Sequence, residues 1–258
     1  KKGYLAHSYY GPKITEEDVS YLTRQMEYGF SNSEIFREKH SLLDFLPQEY
    51  PTDGIGDYRL SALAISNSKN NNGVELKYKN YKISKETPKL PGLPCVFGSN
   101  AETLEIITED TVLGIEVSLF FTIFDDTDAI VRSTKITSTT AKEPVFIKKA
   151  ISLSFDIDNE NYDMITLHGS WARERHIDRR PVHMGNQSVV SMRGETSHQQ
   201  NNFIALACRN TDADNGEVYG ISLVYSGNFI AQAEINQFES VRAVTGIHSE
   251  NFAWLLEP

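Results

Sequence analysis

The feature that most constrains the fold of this chain is a series of short segments in which polar and apolar residues alternate. Alternation with a period of two places the apolar side chains on one face of a β-strand. It is clearest at residues 115–123 and 131–136, which are also rich in β-branched and aromatic residues. Turn-forming residues separate such segments, as at 125–128 and 214–216. The series therefore predicts antiparallel strands joined by links of hairpin length.

About a dozen segments fit this description, and no long helical segments alternate with them, so an all-β antiparallel fold is predicted. So many strands favour a large sandwich over a small barrel. One short helix is indicated near residues 15–26, with Thr15 as its N-cap. No linker, repeat or low-complexity tract interrupts residues 1–258, which indicates a single domain. The predicted strands are residues 60–66, 74–83, 103–108, 113–124, 129–137, 145–156, 162–167, 188–193, 203–209, 218–225, 229–237, 241–247 and 252–256.

The charge of the chain argues against a nucleic-acid partner. The formal net charge is −10, whereas a surface that follows phosphates needs clustered Lys and Arg. The one basic cluster, residues 173–180, is interrupted by Glu174 and Asp178. No apolar run approaches the length of about 18 residues that a membrane-spanning helix needs, so no membrane partner is expected either.

The cysteines and the amino terminus indicate a cytoplasmic location. The first residues, KKGYLAHSYYG, lack the apolar core of a signal peptide. Cys95 and Cys208 are far apart and have apolar neighbours, which is typical of buried free thiols rather than a disulfide. Free thiols fit a reducing compartment.

Residues 168–203 stand out because they carry many Arg, His, Ser and Gln residues and show no steady period. The pattern predicts a long surface connection, and ordered connections of this length are usually functional. Its four histidines (His168, His176, His183 and His198) match no zinc-ligand spacing, so no metal site is expected. The chain also lacks a serine nucleophile elbow, a phosphate loop and a dinucleotide-binding motif, and no cofactor is expected.

Several short sequence motifs of this chain resemble those of the amino-terminal domain of bacterial α-galactosidases of glycoside hydrolase family 36. They occur in the same order along the chain, so the resemblance covers essentially its whole length. The motifs are Tyr-Tyr-Gly at 9–11, Pro-Gln-Glu-Tyr-Pro at 47–51, Gly-Asp-Tyr-Arg at 56–59, Gly-Ser-Trp-Ala-Arg-Glu-Arg at 169–175, Arg-Gly-Glu-Thr-Ser-His-Gln at 193–199 and Tyr-Ser-Gly-Asn-Phe at 225–229.

The resemblance implies a particular fold and a non-catalytic role. The fold would be an antiparallel β-supersandwich like the galactose-mutarotase-like domains, with at most one or two short helices. In the family the catalytic module is a (β/α)8 barrel that follows this domain, and its nucleophile lies in a Lys-Trp-Asp motif. The only tryptophans here are Trp171 and Trp254, and neither precedes an aspartate. The chain is therefore expected to lack both catalytic aspartates of a retaining enzyme that removes terminal α-linked galactose.

The resemblance also implies a site and an interface. In tetrameric relatives this domain presents a loop to the active site of a neighbouring subunit, and Asp53, Asp57, Tyr58 and Arg59 are the residues such a loop would use. Carboxylates and Arg bind sugar hydroxyls, and an aromatic ring packs beneath the sugar. Trp171, Arg173 and Arg175 are expected at an interface with a second subunit or with the barrel. For residues 51–59 alone, a plain turn into a strand with Arg59 ion-paired is the competing interpretation.

Two other functions remain open at the level of sequence. The chain could be a stand-alone carbohydrate-binding module, which would need an exposed aromatic platform and affinity for a free sugar. It could also be a mutarotase-type enzyme, which would use a His and a Glu in the cleft of the sheet. The motifs of the second class are not visible, and only two Trp residues support the first. The thirty-five acidic residues offer too many chance pairs to nominate a catalytic pair by sequence.

Overall fold

The structure, a computed structural model, describes residues 3–11, 13–15 and 43–258. Within these ranges the chain forms fourteen β-strands and no helix. The helix expected near residues 15–26 lies, apart from Thr15, outside the described residues. The strands are β1 (Leu63–Asn67), β2 (Lys77–Ser84), β3 (Ala101–Asp110), β4 (Ile115–Phe124), β5 (Ile130–Ser138), β6 (Val145–Asp158), β7 (Tyr162–Ser170), β8 (Arg173–Pro181), β9 (Gly185–Ser191), β10 (Gln200–Cys208), β11 (Val218–Ser222), β12 (Phe229–Ile235), β13 (Ser240–Ile247) and β14 (Trp254–Leu256).

Thirteen of the strands, all except β9, form three antiparallel sheets, which confirms the predicted all-β antiparallel class. A central sheet has the order β1-β6-β13-β12, and β14 also pairs with β6. The other two sheets have the orders β11-β10-β7-β8 and β2-β3-β4-β5. The 14-residue strand β6 holds the central sheet together, because its first half pairs with β1 and β14 and its second half with β13.

The central sheet is buried on both faces. One apolar core joins β12 and β13 to β7, β10 and β11, and a second core joins β1 and β6 to β4. Strand β13 shows the arrangement directly, since Val241 and Ala243 lie in the first core and Val244 lies in the second. Burying a Val side chain contributes about 1.5–3 kcal/mol, so a strand that is buried on both faces is strongly fixed in place.

The predicted strands are confirmed with small shifts at their ends, and one strand was missed. Strand β8 lies within residues 168–203, so the prediction of a long surface connection there is wrong. Strand β8 is at the edge of its sheet and almost entirely exposed, and its backbone pairs with β7. A strand exposed on both faces needs no alternation of apolar and polar residues, so its sequence carries no period of two.

The cysteine prediction is confirmed in one respect and wrong in another. Both thiols are free, as expected, and Cys208 is half-buried. Cys95, however, is exposed, and so is its neighbour Phe97, at 84%. This part of the chain forms no strand, and apolar neighbours bury a side chain only when the backbone packs against a core. Among the described residues, no helix is long and apolar enough to cross a membrane.

Candidate functional site

The loop at residues 53–59 connects an isolated bridge to β1. Thr52 bridges to Leu63, and the Asp53 N–H donates to the Leu63 carbonyl over 3.1 Å. The Asp53 carbonyl accepts a second bond, from the Val74 N–H. Gly54 has a φ of +85°, and a Cβ added there would lie 2.7 Å from the backbone of Gly73. The start of the loop is therefore fixed in one conformation that requires glycine.

The end of the loop is anchored by a buried cluster of four charged side chains: Asp57, Arg59, Asp156 and Arg242. Arg242 donates two hydrogen bonds of 2.6 and 2.7 Å to Asp156, which is its direct cross-strand partner, with Arg242 on β13 and Asp156 on β6. A third nitrogen of Arg242 donates to Asp57 over 2.9 Å. Arg59 binds the same Asp57 through two further bonds of 2.9 Å and reaches Asp156 at 3.3 Å. Two cations thus alternate with two anions.

The remaining donors of the cluster are also satisfied. Arg59 donates to the carbonyls of Leu43 and Leu46 over 2.9 and 2.7 Å, and Arg242 donates to the carbonyl of Leu60. Gln48 adds a side-chain bond of 2.7 Å to Asp57 and a backbone bond to Asp156. Buried charges are tolerated only when they are paired and fully hydrogen-bonded, and this cluster meets that condition.

The electrostatics of the cluster keep Asp57 ionised. Burial by itself raises the pKa of its carboxyl, but the charge of Arg242 and the bonds and charge of Arg59 lower it more. Its net pKa lies below the ordinary value of 3.8. For Arg242, burial lowers the pKa, while Asp156 and Asp57 raise it well above its usual range. Both groups are therefore charged at neutral pH, and Asp57 is a structural anion rather than a proton donor.

The structure separates the four predicted site residues into two groups. Asp57 and Arg59 are buried, with their charges used inside the chain. Tyr58, between them, is 86% exposed, and Asp53 is half-buried. Lys149 lies near Asp53: burial lowers the pKa of its ammonium group, and the carboxylates of Asp53 and Glu234 oppose that shift. The loop thus presents an aromatic ring above an interior held by ion pairs.

Sequence reasoning missed the partners of Asp57 and Arg59. Asp156 and Arg242 lie about one hundred residues or more further along the chain, and no local pattern links them to the loop. One signal was available, since Arg242 stands in the middle of a run of apolar and small residues, Val-Arg-Ala-Val. A charged residue inside a strand that is otherwise apolar needs a buried partner of opposite charge.

The predicted interface residues lie on the hairpin of β7 and β8. Trp171 and Ala172 form the turn, and Trp171 is 84% exposed. Arg173 pairs with Ser170 at the start of β8 and is exposed as well. Arg175 is turned toward a groove beside residues 193–201. The three residues thus share one hairpin, but Trp171 is at its turn and Arg175 is at its side.

The described residues contain no metal site, and the acids of the buried cluster do not form a hydrolytic pair. No group of three or more His, Cys, Asp or Glu residues within the described ranges is placed to hold a metal ion. Glycoside hydrolysis needs one carboxyl that can donate a proton and one free to act as nucleophile or base. Asp57 and Asp156 are both buried and held by Arg59 and Arg242, so neither can take these roles.

Comparison with known proteins gives matches along the whole chain. The model of the glycosyl hydrolase family 36 N-terminal domain matches residues 3–257. Alpha-galactosidase AgaA of Geobacillus stearothermophilus is 40% identical, with 100% of this chain and 36% of the relative covered. The bifunctional alpha-galactosidase/sucrose kinase AgaSK of Mediterraneibacter gnavus is 37% identical, with 98% and 27% covered.

Solved structures agree with these matches. An AgaA variant in complex with raffinose superposes with a TM-score of 0.93 at 40% identity, covering 100% of this chain and 36% of that one. The alpha-galactosidase from Lactobacillus brevis gives a TM-score of 0.93 at 34% identity, covering 100% and 35%. The chain therefore spans between 27% and 36% of the length of these relatives.

Substituting Arg242→Met should destabilise the chain by about 3–5 kcal/mol, because it leaves two buried carboxylates without their main cation. Urea unfolding followed by circular dichroism measures the change. The matched control is Arg180→Met, since Arg180 is exposed on β8 and pairs with Asp178 at 2.8 Å; removing such a pair costs under about 1 kcal/mol. Equal losses for the two variants would contradict the anchoring role of the cluster.

The stability of the chain should fall as the pH drops through the acid range. The pKa of Asp57 is lowered in the folded chain, so the unfolded chain binds more protons there. This contribution is complete above the ordinary value of 3.8 and is lost as the pH falls through the lower folded pKa. Glu49 acts in the same direction: burial raises its pKa, but His7 and Arg132 lower it more.

Urea unfolding between pH 7 and pH 2 tests this dependence. Asp57→Asn should be less stable at pH 7 and should show a shallower decline with acid, because one of the linked carboxyls is gone. Glu49 should retain part of the decline. A variant that loses stability as steeply as the unsubstituted chain would show that Asp57 is not linked to folding.

Proposed function

The chain belongs to the glycosyl hydrolase family 36 N-terminal domain family, and we propose that it serves as the non-catalytic domain of a larger retaining alpha-galactosidase. Residues 1–258 would form one supersandwich domain, and a catalytic barrel elsewhere in the polypeptide would supply the nucleophile and the acid/base aspartate. The substrates would be oligosaccharides with a terminal α-linked galactose. The two free cysteines fit the cytoplasmic location predicted from the sequence.

The observation that carries this proposal is the match of essentially the whole chain to between 27% and 36% of each relative. AgaA is named an alpha-galactosidase, and its variants have been crystallised with raffinose and with stachyose. The pairing of the acids is consistent with a supporting role, because the most deeply buried carboxylates are neutralised by arginine rather than left free for chemistry. The work of this domain would be to support the barrel, to build the oligomer and to line a substrate pocket.

The loop at residues 53–59 is the part that we assign to the pocket of a neighbouring subunit. Tyr58 offers an exposed ring that can pack against the apolar face of a sugar, and Asp53 offers a half-buried carboxylate that can accept bonds from hydroxyls. Asp57 and Arg59 would contribute by holding the loop, since their charges are used internally. A rigid loop loses little conformational freedom on binding.

The hairpin of β7 and β8 is the part that we assign to assembly. Trp171 at its turn, with Arg173 beside it, has the residue types that are enriched at protein interfaces. Arg175 completes the set predicted from the sequence. A homo-oligomer, tetrameric as in the relatives that the sequence resembles, would bring such a hairpin against a second subunit or against the barrel.

A chimera tests the proposed activity. This chain would replace the matching third of AgaA, and hydrolysis of p-nitrophenyl α-galactoside would be compared for the chimera, the chain alone and AgaA lacking that third. The chimera should hydrolyse the substrate, while the other two proteins should be inert or nearly so. Turnover by the chain alone would overturn the non-catalytic assignment. Tight binding of free raffinose by the chain alone would favour the carbohydrate-binding module instead.

In the same chimera, Tyr58→Ala should raise KM by roughly three- to tenfold with a smaller change in kcat, since an aromatic contact contributes about 0.5–1.5 kcal/mol. Tyr81→Ala is the control, because Tyr81 is an exposed tyrosine on β2, in a different sheet from β1. Tyr58→Phe should retain most of the affinity if ring packing is the contact. An unchanged KM in Tyr58→Ala would remove this loop from the substrate pocket.

A further inference from the structure

A polar groove lies beside the β7–β8 hairpin, and its lining residues other than Arg175, which belongs to the set assigned to assembly, are not used by the proposed function. It encloses about 550 Å³ and is lined by Arg175 and by side chains of the segment 193–201. Pockets for small molecules have volumes of about 300–1,000 Å³, so the groove can hold a mono- or disaccharide. It also lies between two of the sequence motifs noted above, at 169–175 and 193–199, which meet where the Gly169 N–H donates to the Gln199 carbonyl over 3.3 Å.

The segment that forms one wall of the groove is held rigidly. Thr196 is fixed by its N–H, which donates to the Ser226 carbonyl over 2.7 Å, and by its hydroxyl, which donates to the Tyr225 carbonyl. The Gly194 N–H donates to the Asn228 side chain over 2.7 Å. The chain itself therefore holds this wall in place, and a wall that is already ordered lowers the entropic cost of binding.

The opposite wall places Arg175 by an uncommon backbone conformation. Arg175 has a φ of 58°, in the left-handed region that non-glycine residues seldom adopt. The hairpin is tight here, because a Cβ added to Gly169 would lie 2.1 Å from the Arg173 carbonyl oxygen. Such conformations persist only where the surrounding structure enforces them, and they cluster at binding sites.

Several polar groups of the groove have no partner within the described part of the chain. Arg175, Arg193 and Glu195 are exposed, and their charged groups make no ion pair or hydrogen bond with described residues, so they are open to a ligand from solvent. Arg179 and Arg180 on the same hairpin are both ion-paired. The side-chain oxygens of Ser197 and Gln199 are buried and lack partners there as well. Buried polar atoms without partners cost free energy unless something binds them.

These groups specify the chemistry of a ligand. Two unpaired guanidinium groups favour an oxyanion, because arginine binds phosphate and carboxylate groups through parallel hydrogen bonds. The acceptor oxygens of Glu195 and Gln199 suit hydroxyl groups. No Trp, Tyr or Phe is among the described residues that line the groove, so the stacking platform of a neutral-sugar site is missing. We propose that this groove binds a small anionic sugar, one that carries a phosphate or a carboxylate beside its hydroxyls.

Isothermal titration of the 258-residue chain tests the proposal with four probes: galactose 6-phosphate, galacturonate, galactose and inorganic phosphate. At least one anionic sugar should bind about tenfold or more tightly than both galactose and inorganic phosphate, since charge-assisted bonds and hydroxyl contacts add. The first two probes differ in their anionic group, so their relative affinities show whether phosphate or carboxylate is the preferred oxyanion.

Substitutions locate the binding. Arg175→Gln and Arg193→Gln should each weaken the preferred probe by about tenfold or more, and Arg193→Lys should lose less because it keeps the charge. The matched control is Arg180→Gln, which removes the same charge from the same hairpin outside the groove and should change affinity less than about twofold. Thermal unfolding of each variant verifies that it is folded.

Three results would overturn the proposal. They are the absence of binding by both anionic sugars, equal affinity for inorganic phosphate, and an equal loss of affinity in Arg180→Gln. The second result would mean that the groove attracts any anion, and the third that only the overall charge of the hairpin matters. None of these results bears on the proposed hydrolytic activity or on the assignment of Tyr58 to the substrate pocket, because neither Tyr58 nor the buried cluster contributes to this groove. Only Arg175 is shared, with the surface assigned to assembly.

Discussion

The buried charge cluster and the loop that it anchors depend on one cross-strand pair, Arg242 of β13 and Asp156 of β6. Both side chains are essentially inaccessible to water, so their charges would be very costly alone. Paired through two short bonds, they become the fixed point to which Asp57 and Arg59 attach. Removing water from such a pair costs more than the attraction returns in many proteins, so its presence indicates a need for specificity more than for stability.

That specificity concerns the loop at residues 53–59. Asp57 and Arg59 of the cluster flank Tyr58 in the sequence. Their bonds tie the loop to the strand pair and to the carbonyls of Leu43 and Leu46. An apolar core could hold a strand, but it has no direction that would fix the orientation of a polar loop. Directional bonds to arginine fix it, and they leave the Tyr58 ring and the half-buried Asp53 carboxylate for outside contacts.

Much of the fold and little of the site could be predicted from the sequence. Alternation identified almost every strand, because most strands have one face in a core. Strand β8 was not predicted because it has no buried face and therefore no alternation. Cys95 was predicted to be buried and is exposed, because apolar neighbours in sequence do not determine whether a segment packs against a core. Asp57 and Arg59 were nominated through family resemblance, but their buried partners Asp156 and Arg242 were not, because ion pairs between distant strands leave no local spacing.

The sequence by itself determined the antiparallel β class, the free cysteines and the family. These follow from local alternation, from the cysteine content and from short motifs that occur in the family's order along the chain. Only the tertiary structure decided which charges are buried and which are available. Asp57, Tyr58 and Arg59 are consecutive, yet burial assigns the two charged residues to the interior and the ring to the surface. The physical reason is that the free energy of a charge depends on its solvent and its partners, which the fold brings together from remote positions.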